Sequence, residues 1–255
     1  FWPEAPLSAV QAGADVVLIS HTYDRQVEAL ELLRRAAEDG RLSPERISAS
    51  AERIYALKRW VRIPSISPEE APDLVGRPED LDFARELARS VLTLVRDRRG
   101  TLPLRLTPKD RLLLVLPKAL SKGAAEDPVL SVEVLAVESL RRHPTVEVLR
   151  VSPEPSEDEV RYALQLASEV KAVVVASRDA HLRPQYARLV RALAGFPLIV
   201  LGIGAPYELQ ALPEVGTYIA AYGDQRPLME AAVEVLFGEQ KASGKLPITV
   251  ERCTD

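Results

Sequence analysis

Apolar residues recur along this chain in two rhythms. Short unbroken runs rich in Val, Ile and Leu alternate with stretches where apolar positions return every three or four residues. The first rhythm marks strands buried on both faces, the second amphipathic helices. "AVQAGADVVLIS" (9–20) reads as a helix end, a small-residue turn and a buried strand over 14–20. A helix follows with Val27, Leu30, Leu33 and Ala37 on one stripe, stopped at Gly40. "SPER" then opens a second helix with Ser43 as N-cap and Pro44 at the first position, and Ile47, Ala51, Ile54 and Leu57 form its stripe.

From 61 to 80 the text becomes "VRIPSISPEEAPDLVGRPED", four prolines without period, which predicts a linker. Leu81, Ala84, Leu87, Ala88, Val91, Leu92 and Val95 predict a long amphipathic helix. Strands at 111–117, 146–151, 171–177, 196–204 and 217–222 then alternate with helices at 129–142, from the "SEDE" capping box (156–159), around 184–194, from Pro206 and through 226–237. Such alternation implies right-handed crossovers and a mostly parallel sheet. The expected architecture is α/β, with a six-strand-or-so sheet sandwiched by helices over 81–255. The single strand and two helices of 1–60 make no domain alone, and their apolar faces need neighbours that the chain does not supply.

Composition narrows the function classes. A net charge of -4 with no basic tract argues against nucleic acid as partner. No apolar run approaches a bilayer-spanning length. One cysteine, Cys253, excludes a disulfide framework, and three scattered histidines predict no metal site. The absence of a signal peptide points to the cytoplasm. The lack of asparagine beside 20 prolines fits a protein from a hot environment, and equally GC-rich coding.

Candidate chemistry is sparse. "GIGAPY" (202–207) follows a strand and opens a helix, but Tyr207 replaces the third glycine of a dinucleotide-binding turn and no acidic residue ends a following strand. It reads as a tight turn with Pro206 at its first helical position, and no cofactor is expected. "SRDAHL" (177–182) lies just past a strand's carboxyl end, where α/β sheets present ligand groups, so Asp179 and His181 are candidate substrate-binding residues and a possible acid/base pair. His21, just past strand 14–20, is the third candidate.

Several segments resemble glycoside hydrolase family 3, in particular its bacterial β-N-acetylhexosaminidase branch of the peptidoglycan-recycling type. "AVQAGADVVLIS" resembles the last strand of that family's (β/α)8 barrel, and "GRLSPERISASAERIYALK" (40–58) its closing helices. "ARELARSVLTLVRDRRGTLPL" (84–104), "PLIVLGIGAPYEL" (197–209) and "LFGEQKASGKLPITV" (236–250) are similar to its second, α/β domain. The resemblance implies the end of a barrel (1–60), a linker (61–80) and the α/β domain (81–255). It implies a retaining hydrolase acting on terminal β-linked N-acetylglucosamine, with the saccharide held by a barrel these residues do not contain. The family's nucleophile in a Ser-Asp motif and its histidine–aspartate dyad near a Lys-His-Phe-Pro-Gly-His-like motif do not occur here, so no catalytic residue is carried over. The expectation is therefore a fragment, inactive alone, structural or cleft-shaping, and prone to self-association or to pairing with the barrel portion. A non-catalytic α/β module binding a sugar or a protein is the alternative; a nucleotide-binding flavodoxin-like domain is weakened by the broken glycine pattern.

Overall fold

The computed structural model describes residues 3–20, 22–61, 75–118 and 132–250, and the chain divides into two compact units at about residue 75. The expectations for His21, for most of the linker and for the start of the helix at 129 fall outside the described residues.

Among the described residues of the first unit, α1 (Ala5–Gln11), α2 (Tyr23–Glu38) and α3 (Pro44–Val61) form the regular structure. Their core is small: Leu7, Ala36 and Leu42, backed by Val10, Leu32 and Leu33. The expected stripe on α2 packs only in part, through Leu33. Ala29 and Ala36 are buried, whereas Val27 and Leu30 face solvent. Ser43 caps α3 as expected, accepting from the Arg46 N–H at 3.2 Å, yet α3 buries no residue at all.

Residues 14–20 form neither helix nor paired strand, which corrects the expectation of a buried strand there. Among the described residues the apolar run has no neighbouring strand to accept its backbone bonds, and Leu18 is 90% exposed. The segment is held by polar ties: Gln26 of α2 donates to the Ile19 carbonyl at 3.0 Å, and Asp15 is anchored to α3. Arg53 reaches both oxygens of Asp15 at 2.7 Å, Ser50 donates to it at 2.8 Å, and Arg46 bonds it while also donating to the carbonyls of Val10 and Ala14. The Arg53 and Ser50 bonds hold the Asp15 carboxyl well below the usual range.

The second unit is a six-stranded sheet of order β1-β6-β5-β4-β2-β3. The strands are β1 (Thr93–Asp97), β2 (Leu112–Pro117), β3 (Val146–Val151), β4 (Ala172–Ser177), β5 (Leu198–Gly202) and β6 (Thr217–Ala220). All neighbours pair parallel except β1, which runs antiparallel to β6. The helices are α4 (Pro78–Val91), α5 (Glu133–Arg142), α6 (Glu157–Ala167), α7 (Pro184–Leu193) and α8 (Arg226–Leu236).

One expectation fails here. The long helix through Val95 stops at Val91, and Thr93–Asp97 joins the sheet edge with Thr93 opposite Ala220 and Leu94 opposite Ile219. The helical period at 81–95 was real up to Val91. Beyond it, Thr93 and Val95 are β-branched, and pairing with β6 outweighs a last turn of helix.

The central strands are buried on both faces, as parallel strands under crossover helices must be. Leu112, Leu114, Val174, Ile199 and Leu201 point to one face and meet Ala88, Leu135, Met229 and Val233 from α4, α5 and α8. Leu113, Val115, Val173, Val175 and Val200 point to the other and meet Ala163, Leu166, Leu189 and Leu193 from α6 and α7. The capping box forms as expected: Ser156 Oγ accepts from Glu159 N at 3.2 Å and Glu159 accepts from Ser156 N at 3.0 Å. Because β3 and β4 flank β2 on opposite sides, the strand order reverses between β2 and β4, and ligands of open α/β sheets gather at the carboxyl ends beside such a point.

Candidate functional site

Two loops leave the carboxyl ends of adjacent strands in the second unit. One follows β4 and runs through the short 3-10 turn Ala180–Leu182; the other follows β5 into the 3-10 turn Pro206–Ala211. Each sends a carboxylate into the other. Asp179 Oδ1 accepts from the backbone N–H of Ala205 at 3.1 Å. Glu208 Oε2 accepts from the backbone N–H of Ala180 at 3.1 Å and from Ser177 Oγ at 2.8 Å, while its Oε1 accepts from Tyr218 Oη at 2.9 Å. The two loops are thus clasped by reciprocal bonds from carboxylate to backbone.

The local sequence makes this geometry attainable. Asp179 sits in the left-handed region at φ 54°, a conformation aspartate tolerates better than most residues and one that favours strained functional turns. Gly202 leaves room: a Cβ there would lie 1.9 Å from Tyr218 Oη and 2.8 Å from Glu208 Oε1. Gly204 does the same for Asp179, whose Oδ1 would meet a Cβ at 2.7 Å.

Glu208 is fully buried, which is unusual for a carboxyl group. Burial pushes its pKa up; the Ala180 N–H and the Ser177 and Tyr218 hydroxyls pull the other way, and the nearby charge of Asp179 adds to the rise. Burial beside Glu208 also drives the Tyr218 and Tyr186 hydroxyls well above their ordinary values.

On the outer side of the clasp, the rings of His181 and Tyr207 meet edge to face, with centroids 6.4 Å apart and planes at 61°. Tyr207 is 45% exposed, and Nδ1 of His181 is buried without a hydrogen-bond partner among the described residues. Arg178 pairs with Asp224. Another non-glycine residue at positive φ, Tyr222 at 62°, lies past the end of β6 and donates from its hydroxyl to Thr93 Oγ1 at 2.8 Å.

Sequence reasoning reached this edge through "SRDAHL" but paired the wrong groups. Asp179 turns to Ala205 and not to His181, so the two do not form a hydrogen-bonded acid/base pair; His181 pairs with Tyr207. Glu208 and Tyr218 were missed. The available signal was an acidic residue in "PYEL" with apolar strands on either side. "GIGAPY" is the tight turn expected, with Pro206 opening the 3-10 segment. Among the described residues no three His, Cys, Asp or Glu side chains gather as a metal site, and no helix is long and apolar enough to cross a membrane.

The class that fold and site define is a doubly wound, mostly parallel α/β domain with a structured carboxyl edge. Comparison with known proteins places that class. No family model matches the chain. The chain is 25% identical over 260 residues to a β-N-acetylglucosaminidase/β-glucosidase of Cellulomonas fimi, covering 94% of this chain and 44% of that protein. It superposes on a family 3 β-N-acetylglucosaminidase from Paenibacillus sp. str. FPU-7 with TM-score 0.77 and 31% identity, over 98% of this chain and 48% of that one. A fungal multi-domain family 3 β-N-acetylglucosaminidase matches with TM-score 0.76 and 26% identity, over 99% of this chain and 29% of that one. Over nearly its whole length the chain is similar to a C-terminal portion of these glycoside hydrolase family 3 enzymes. The six-stranded sheet with its helices matches the C-terminal α/β domain of that family. The chain spans less than half the length of each of these three relatives.

Proposed function

We propose that this chain is the C-terminal part of a retaining glycoside hydrolase that removes terminal β-linked N-acetylglucosamine, and that its α/β domain shapes the saccharide cleft. The observation carrying this reading is the similarity to β-N-acetylglucosaminidases over 94% or more of the chain. A retaining hydrolase needs a nucleophile and an acid/base flanking the scissile bond, about 5 Å apart when both are carboxylates. Neither family motif for these groups is present in the 255 residues. The reacting groups therefore come from outside this portion.

The part left to the α/β domain is contact with the sugar from the carboxyl edge. Tyr207 and His181 offer an apolar ring surface edged by polar atoms, the combination that saccharides bind. The test is turnover of a chromogenic β-N-acetylglucosaminide. The 255-residue chain is expected to show none, since a catalytic set acts as a unit whose loss binding does not restore. Turnover by the chain alone, abolished by Asp179→Ala or His181→Ala, would overturn the assignment.

A further inference from the structure

We propose that Glu208 is a positioning residue, which sets where His181 and Tyr207 stand on the carboxyl edge through its bonds to Ser177, Ala180 and Tyr218. The use of those rings as saccharide contacts rests on the reading above; the positional claim does not.

Burying a carboxylate is costly, and an apolar residue of similar volume would fill the space at less cost. What the carboxylate supplies is two oxygens that take three donors from three places. Ser177 ends β4, Ala180 lies in the turn after it, and Tyr218 stands in β6. Ala180 immediately precedes His181, and Tyr207 immediately precedes Glu208. The one carboxylate thus holds the backbone next to both rings. Asp179 closes the same arrangement from the other loop through the Ala205 N–H. Being fully buried, Glu208 touches no bound molecule itself. It acts through its neighbours.

Glutamine has the same shape. Its single amide oxygen would keep the bonds from Ser177 and Ala180, and its NH2 would meet the Tyr218 oxygen, which also accepts. Alanine loses all three and leaves the two hydroxyls and the Ala180 N–H without an acceptor in the interior.

The experiment uses the full 255-residue chain and two NMR readouts, with imidazole signals assigned through His181→Gln. The first is the nuclear Overhauser contact between the His181 and Tyr207 rings; the second is the shift of those ring signals on titration with N,N′-diacetylchitobiose. Glu208→Ala is expected to lose the ring contact and to weaken chitobiose about tenfold, the size of one well-placed contact. Glu208→Gln is expected to restore the contact and to bind within about twofold of the parent. An Ala variant that keeps the ring contact, or a Gln variant that fails to restore it, overturns the proposal. If Glu208→Ala does not fold, Ser177→Ala removes the 2.8 Å bond alone, and unmoved His181 signals would overturn it equally. A parent chain that ignores chitobiose, while its ring contact follows the Glu208 variants, supports the positional claim and removes the saccharide reading.

Discussion

"LLLVLP" at 112–117 and "DVVLIS" at 15–20 are nearly the same text, and they meet opposite fates. The first is the centre of a sheet, paired on both sides, with Leu112 to Leu116 wholly buried. The second carries no paired strand, and its Leu18 is almost fully exposed. Intrinsic preference is the same in both. The difference is that 112–117 has β3 and β4 to bond its backbone and helices over both faces, whereas 15–20 is tied by Asp15 to α3 and by the Ile19 carbonyl to Gln26 of α2. A strand is made by its neighbours more than by its own residues.

The sharpest way to break this comparison is to truncate one leucine in each run. Leu114→Ala should cost about 2–5 kcal/mol, the range for a core leucine whose site cannot collapse. Leu18→Ala should stay within about 0.5 kcal/mol, as for a surface change. Urea unfolding followed by circular dichroism measures both, and equal costs would mean that 14–20 is buried in solution after all.

A second test concerns the buried carboxyl. Glu208→Ala should destabilise by about 1–3 kcal/mol through its orphaned donors. The sign of its pH dependence is set by the raised pKa. Folded Glu208 holds its proton to higher pH than the unfolded chain does, so its contribution is fully present at acid pH and lost as pH rises through the folded pKa. The parent chain should therefore lose stability relative to Glu208→Gln as pH increases above the ordinary glutamate range. Parallel curves for the two would remove the argument.

The capping box offers a smaller effect. Ser156→Ala should cost about 1 kcal/mol, since one N–H at the start of α6 loses its acceptor. Thermal unfolding reads it.

Asp15 should have the smallest effect on stability and the clearest local one. Its lowered pKa gives the reverse sign from Glu208: the tie to Arg53, Ser50 and Arg46 is present above the ordinary aspartate range and lost as pH falls through the folded value. Asp15→Asn should leave the sheet untouched while speeding proteolysis at 16–20, which mass spectrometry locates. Unchanged cleavage would mean that something besides the anchor holds the segment. In the same region Leu18→Ser should reduce binding of a hydrophobic dye, because Val16 and Leu18 are exposed side by side along one run.

Most of the second unit was legible because its signals are local. Apolar runs bounded by turns located β2 to β6, the Ser156–Glu159 spacing located the start of α6, and Pro206 marked the turn it opens. The edge was legible only in part. That 177–182 would stand past a strand's carboxyl end followed from the alternation of elements. That Asp179 would face Ala205 did not, because the bond joins residues 26 apart through a left-handed turn.

Sequence by itself determined the mostly parallel α/β class of 81–255, five of its six strands, most of its helices and the family resemblance, since each depends on periodicity, capping or motif within a few residues. Tertiary structure alone decided three things. Thr93–Asp97 became a strand because β6 offered an edge. Residues 14–20 did not, because among the described residues no strand offered one. Glu208 became the buried centre of a clasp because folding brought Ser177, Ala180 and Tyr218 around it. In each case the deciding partner is distant in sequence, and a backbone group or a carboxylate takes its role from the partner it meets.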